Sequence, residues 1–116
     1  MSELAKQSFI PVNASSVGLS ALEIKTLAEQ LPLWKTLEID DELRLQRVFK
    51  FKDFNQAISF AGQVAKIADD ADHHPSLLVE WGKVTVNWWT HVIHGLHMND
   101  FIMASRTDLL YKTQTT

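Results

Sequence analysis

Apolar residues recur along this chain in two periods that take turns, one helical and one alternating. Ser20 with Glu23 three residues on has the spacing of a capping box. Behind it Ala21, Ile24, Leu27, Ala28 and Leu31 recur at helical intervals up to Pro32, which cannot donate the next backbone hydrogen bond. Trp34–Ile39 then alternates, Asp40-Asp41-Glu42 is a polar turn, and Leu43, Leu45 and Val48–Phe51 make a second strand, so the two read as a hairpin. Asp53 is an N-cap. From Phe54 onward Ala57, Ile58, Ala61, Val64, Ala65 and Ala68 form the apolar stripe of a long helix.

That helix cannot pass Pro75, and His74 before the proline is pushed toward extended geometry. Leu77–Trp81, a turn at Gly82-Lys83 and Val84–Trp89 predict a second hairpin, with Val84, Val86 and Trp88 on one face and Thr85, Asn87 and Trp89 on the other. A loop holding His94, Gly95 and His97 leads to Asn99 as an N-cap. Phe101, Ile102, Ala104, Ser105 and Leu109 then mark a last helix. The expected fold is α+β: a four-stranded antiparallel sheet with helices on one face, in the order α-β-β-α-β-β-α. Residues 1–18 are polar and aperiodic, an expected flexible arm. Residues 19–112 form a single domain and 113–116 a tail.

Composition narrows the function. Apolar residues at 46% suffice for one core, and the net charge of −3 lacks the basic footprint of a nucleic-acid binder. With no cysteine, a disulfide framework, a thiolate metal site and a cysteine nucleophile are all excluded. No signal-peptide core and no membrane-length apolar run occurs, so the expected location is the cytoplasm. A Gly-x-Ser-x-Gly elbow and a phosphate-cradling glycine loop are also missing.

Chemistry concentrates in Asp69-Asp70-Ala71-Asp72-His73-His74-Pro75. Three aspartates at a helix C-terminus oppose its partial negative charge, which points to selection for something other than folding; a protonated His73 would offset part of the cost. His91 follows a hairpin that returns the chain to its start, so it can face the same pocket as His73 and His74, beside Trp89. Imidazoles on two sides of a substrate can give one proton and take another, with aspartates orienting their N–H groups. Zinc is the competing use of such residues. Adjacent histidines point in different directions, however, and rarely share an ion, so no metal is assigned. His94 and His97 lack comparable carboxylate neighbours and read as loop residues.

Asp69, His73-His74-Pro75, Trp81, His91 and Asp100, together with Phe49-Lys50-Phe51-Lys52-Asp53-Phe54, Ala57 and Phe60, resemble the pterin-4a-carbinolamine dehydratases. The resemblance spans about residues 20–112. It implies loss of water from a 4a-hydroxytetrahydropterin to give quinonoid dihydropterin, recycling the pterin of an aromatic amino acid hydroxylase. It further implies His73 and His91 as acid and base and His74 as a holder of substrate. Asp69, Asp72, Trp89, Thr90 and Asp100 would shape the binding site. Neither metal nor organic cofactor is required, and homodimers or homotetramers are expected. Asp69 departs from the glutamate frequent at its position by one methylene. Two alternatives stand beside that reading: a pterin-binding protein acting in molybdopterin metabolism, suggested by the shared ring system, or a transcriptional coactivator or dimerisation module, as some relatives of this resemblance are.

Overall fold

Alternating strand sequences become two hairpins in the computed structural model, which describes residues 2–8 and 17–114. Strand β1 (Lys35–Ile39) returns as β2 (Glu42–Lys50), and β3 (Ser76–Glu80) returns as β4 (Lys83–Trp88). β2 and β4 pair antiparallel in the middle, so the sheet runs β1-β2-β4-β3. Asp40 and Asp41 form the first turn, both left-handed at φ 53° and 64°, a geometry that the short aspartate side chain tolerates. The second turn is Trp81-Gly82, one residue earlier than expected. Gly82 takes φ 73° there, and its carbonyl accepts the Phe51 N–H at 2.8 Å.

Leu45, Phe49, Val84, Val86 and Trp88 are buried on the sheet face that meets the helices. Helix α2 (Ala21–Ala28) carries the expected Ser20–Glu23 capping box and buries Ile24. Helix α3 (Phe54–Ala71), capped by Asp53, buries Ala57, Phe60, Ala61, Val64 and Ala68. Ile58 and Ala65, expected in that stripe, are exposed. They lie seven residues apart and one position past Ala57 and Val64, which turns both away from the sheet at about 100° per residue.

Helix α4 (Met98–Gln114) buries every residue from Phe101 to Ser105. The reason lies at the other end of the chain. Residues Ser2–Lys6 of the expected arm form helix α1, packed on α4. Leu4 of α1 enters the core, and Arg106 donates to the carbonyls of Ala5 (3.0 Å) and Gln7 (2.9 Å). Residues 1 and 9–16 of that arm, and 115–116 of the tail, lie outside the described residues, while α4 itself extends through 113 and 114. Between α4 and the sheet, Asp108 accepts from Trp34 Nε1 at 2.8 Å and Arg47 Nη1 at 2.6 Å. Burial pushes its carboxyl above the usual range, against the pull of those two donors. Among the described residues no helix is long and apolar enough to cross a membrane.

Candidate active site

The end of α3 sets the position of the histidine pair. Asp72 closes the helix in the left-handed region at φ 52°. Its N–H reaches the carbonyl of Asp69, and the His73 N–H reaches that of Ala68. This double bond pattern is the Schellman ending, and it satisfies carbonyls the helix would otherwise orphan. The chain leaves in extended form through Pro75 into β3. His73 and His74 therefore depart from a fixed corner, their side chains on different partners.

His73 turns inward. Its ring stacks on Trp88 with centroids 5.7 Å apart and planes 11° from parallel. Its Nε2 meets Asp100 Oδ1 at 2.6 Å. Asp100 is 0% exposed, and its other oxygen accepts from Thr90 Oγ1 at 2.7 Å and the His97 N–H at 2.9 Å. Three donors converge on one buried carboxylate, which suits an ionised acceptor. His74 turns outward, its Nε2 2.9 Å from Asp69 Oδ1 on an exposed surface. The imidazole that faces the acidic helix end is thus His74, and not His73 as the charge argument expected. Asp70 pairs instead with Lys66 at 3.8 Å.

The last helix begins one turn away on the same carboxylate. Asp100 stands at its third residue and accepts the N–H of His97, while His97 Nδ1 accepts the N–H of Asn99 at 3.1 Å. His97 therefore caps α4 where Asn99 was expected to, in a reciprocal arrangement equivalent to a capping box. Burial holds this imidazole below its ordinary value of 6.5; the Asp100 charge opposes that shift and His73 adds to it.

A cleft of about 400 Å³ lies over this assembly, lined by Asp72, His73, His74, Trp89, Thr90, His91 and Val92. Six of the eight residues expected at the site are among them. The other two, Asp69 and Asp100, reach it through the histidines they hold. Val92 was not anticipated; nothing but its place after His91 in the chain marks it. Trp89 lies under the Arg44 guanidinium, 3.8 Å from the ring centroid.

His91 opens a short 3₁₀ turn, His91–Ile93, and its side chain is 79% exposed. Its Nδ1 lies 3.4 Å from Glu42 Oε2, and His94 Nδ1 lies 2.9 Å from the same oxygen. That bond from His94 is the main reason the Glu42 carboxyl sits below its ordinary value, with the charges of His91, His94 and Arg44 adding to it against partial burial. Neither Glu42 nor His94 was expected here. Their partnership spans 52 positions, and no local spacing announces it.

A small α+β domain with a cleft of imidazoles backed by carboxylates is the class that fold and site define. The model of the family described as pterin 4 alpha carbinolamine dehydratase matches residues 17–110. A relative from Microcystis aeruginosa, provisionally named pterin-4-alpha-carbinolamine dehydratase, is 49% identical and covers 98% of both chains. One of the same provisional name from Marinobacter nauticus is 50% identical over 96% of this chain and all of its own. The chain belongs to the pterin-4-alpha-carbinolamine dehydratase family.

Among solved structures, a protein from Brucella melitensis described as a transcriptional coactivator/pterin dehydratase superposes with a TM-score of 0.73 at 31% identity, over 81% of this chain and 98% of that one. A pterin dehydratase-like protein described as a RuBisCO assembly factor in the alpha-carboxysome shares the fold alone, at 18% identity and a TM-score of 0.57.

Proposed function

We propose that this protein dehydrates a 4a-hydroxytetrahydropterin to quinonoid dihydropterin, with His73 and His91 as its acid and base. One observation carries the reading. Imidazoles from the end of α3 and from beyond the second hairpin line a single cleft. One imidazole gives a proton to the departing hydroxyl, which leaves as water. The other takes the proton of the adjacent ring N–H, whose electrons form the new C=N bond. Asp100 holds the Nε2 edge of His73, and Glu42 faces Nδ1 of His91. The first contact supports a set ring orientation for His73, on which acid–base work depends, and the second puts a carboxylate beside the exposed His91 ring. His74, Asp72, Thr90 and Trp89 line the cavity around the flat heterocycle.

Positioned acid–base groups supply about 10²–10⁴-fold, which suits a carbinolamine that also dehydrates unaided. The test is a dehydration assay on freshly generated 4a-hydroxytetrahydropterin, read above the uncatalysed background. His73→Ala and His91→Ala are each expected to lower turnover at least about tenfold with the native circular dichroism spectrum retained. Wild-type rates in both variants would sink the assignment.

In the cell the reading places the enzyme after an aromatic amino acid hydroxylase, in the cytoplasm. Exposed apolar side chains on α3 (Phe54, Ile58) and along the edge strand β3 and its turn (Leu78, Trp81) support a homo-oligomer that covers them.

A further inference from the structure

Glu42, His91 and His94 form a second constellation at the rim of the cleft. Two histidines three positions apart across a 3₁₀ turn lie nearly one above the other. Here their ring centroids are 5.5 Å apart at 68°. The loop that carries them is held closed by Thr90 and Gly95, which exchange both backbone hydrogen bonds (2.8 and 3.3 Å). His94 itself is left-handed, at φ 54°, an uncommon state for a residue with a Cβ. From the far hairpin Glu42 brings a carboxylate whose side chain is only 10% exposed. Its Oε1 faces Arg44 Nη2 at 4.0 Å and its Oε2 faces both imidazoles.

One ligand atom from each of the three residues lies within 4.8 Å of the other two, and both imidazoles turn Nδ1 toward Glu42 Oε2. Ligands at 2.0–2.1 Å from a tetrahedral ion stand roughly 3.3 Å apart. The His91–Glu42 distance already matches, and the His94–Glu42 distance needs a few tenths more. Two imidazoles and a carboxylate suit zinc and its neighbours, whereas calcium and magnesium require oxygen ligands. Both rings are largely exposed, so an ion can enter and water can complete its shell.

We propose that Glu42, His91 and His94 bind one zinc-class divalent ion, and that its occupancy silences the cleft. An imidazole that coordinates through Nδ1 carries its proton on Nε2 and cannot accept another. His91 is thereby removed from proton transfer. The silencing rests on the dehydratase reading; the binding does not.

Calorimetric titration of Zn²⁺ into the full chain tests the binding. One ion per chain is expected, with affinity at least about tenfold weaker in His94→Ala and in Glu42→Gln, and without competition from excess Mg²⁺. His94 is exposed, so its variant keeps the fold if Glu42→Gln does not. Zinc is expected to lower wild-type dehydration at least tenfold, reversibly on chelation. Measured against its own zinc-free rate, His94→Ala is expected to resist the same zinc concentration. Unchanged affinity in His94→Ala overturns the site, and zinc bound there with undiminished turnover overturns the silencing. Absence of turnover in every sample, with zinc binding still dependent on His94, would overturn the dehydratase reading and support the site.

Discussion

Replacing Asp100 by Asn changes one oxygen to an amide nitrogen at the point where the fold and the proposed chemistry meet. The amide group must choose an orientation. Its nitrogen cannot face the His97 N–H and the Thr90 hydroxyl, since donors would then oppose donors. The carbonyl oxygen stays with those two, and the amide nitrogen turns to His73. All three bonds lose their charge assistance, worth about 1 kcal/mol each, so the fold is expected to lose about 3 kcal/mol. For a domain of this size that lowers the melting temperature by roughly 10 °C. His73 must also accept at Nε2 and carry its proton on Nδ1, the reverse of the tautomer that donates to Asp100. Turnover in the dehydration assay should fall by about 10² or more. Thermal unfolding by circular dichroism and the dehydration rate are measured on the same preparation. A lowered melting temperature with undiminished turnover would refute the claim that Asp100 positions His73. Native values of both would refute the bonding itself.

The His97 cap makes stability depend on pH. Its proton affinity is lower folded than unfolded, so the unfolded chain gains the proton first on acidification. The cap is fully effective above the unfolded value of 6.5 and is lost as pH falls through the folded one. Urea unfolding between about pH 7.5 and 5.5 should show stability dropping, and His97→Asn, which can still cap, should flatten that slope; an unaltered slope would rule out His97 as its source. The proposed oligomer is checked by sedimentation velocity at micromolar concentration, where a species larger than the monomer is expected and monomer alone would count against it.

Alternation made the strands legible, because a side-chain period of two is hard to mistake when Val84, Val86 and Trp88 are all fully buried. Caps spelled out locally, at Ser20 and Asp53, were legible for the same reason. Helix α1 was not. Its five residues place one leucine in the core, and such a segment owes its helix to what it packs against. Ile58 and Ala65 were misplaced because an apolar residue beside a stripe looks the same in sequence as one within it. At the site, the residues that face the cleft stood out by their density along the chain. Those that hold them from behind did not: Asp100 reads as a substrate contact until its burial is seen, and Glu42 is an ordinary turn residue until the fold brings His94 to it.

Arg106 and Leu4 join the first and last of the described helices, across 101 positions in the case of the Ala5 carbonyl. During synthesis α1 leaves the ribosome before α4, the surface it rests on. Five residues are too few for a helix to persist in isolation, so α1 is expected to dock only once α4 is there to receive it. By the same physics, local opening of the native fold is expected to begin at this clasp.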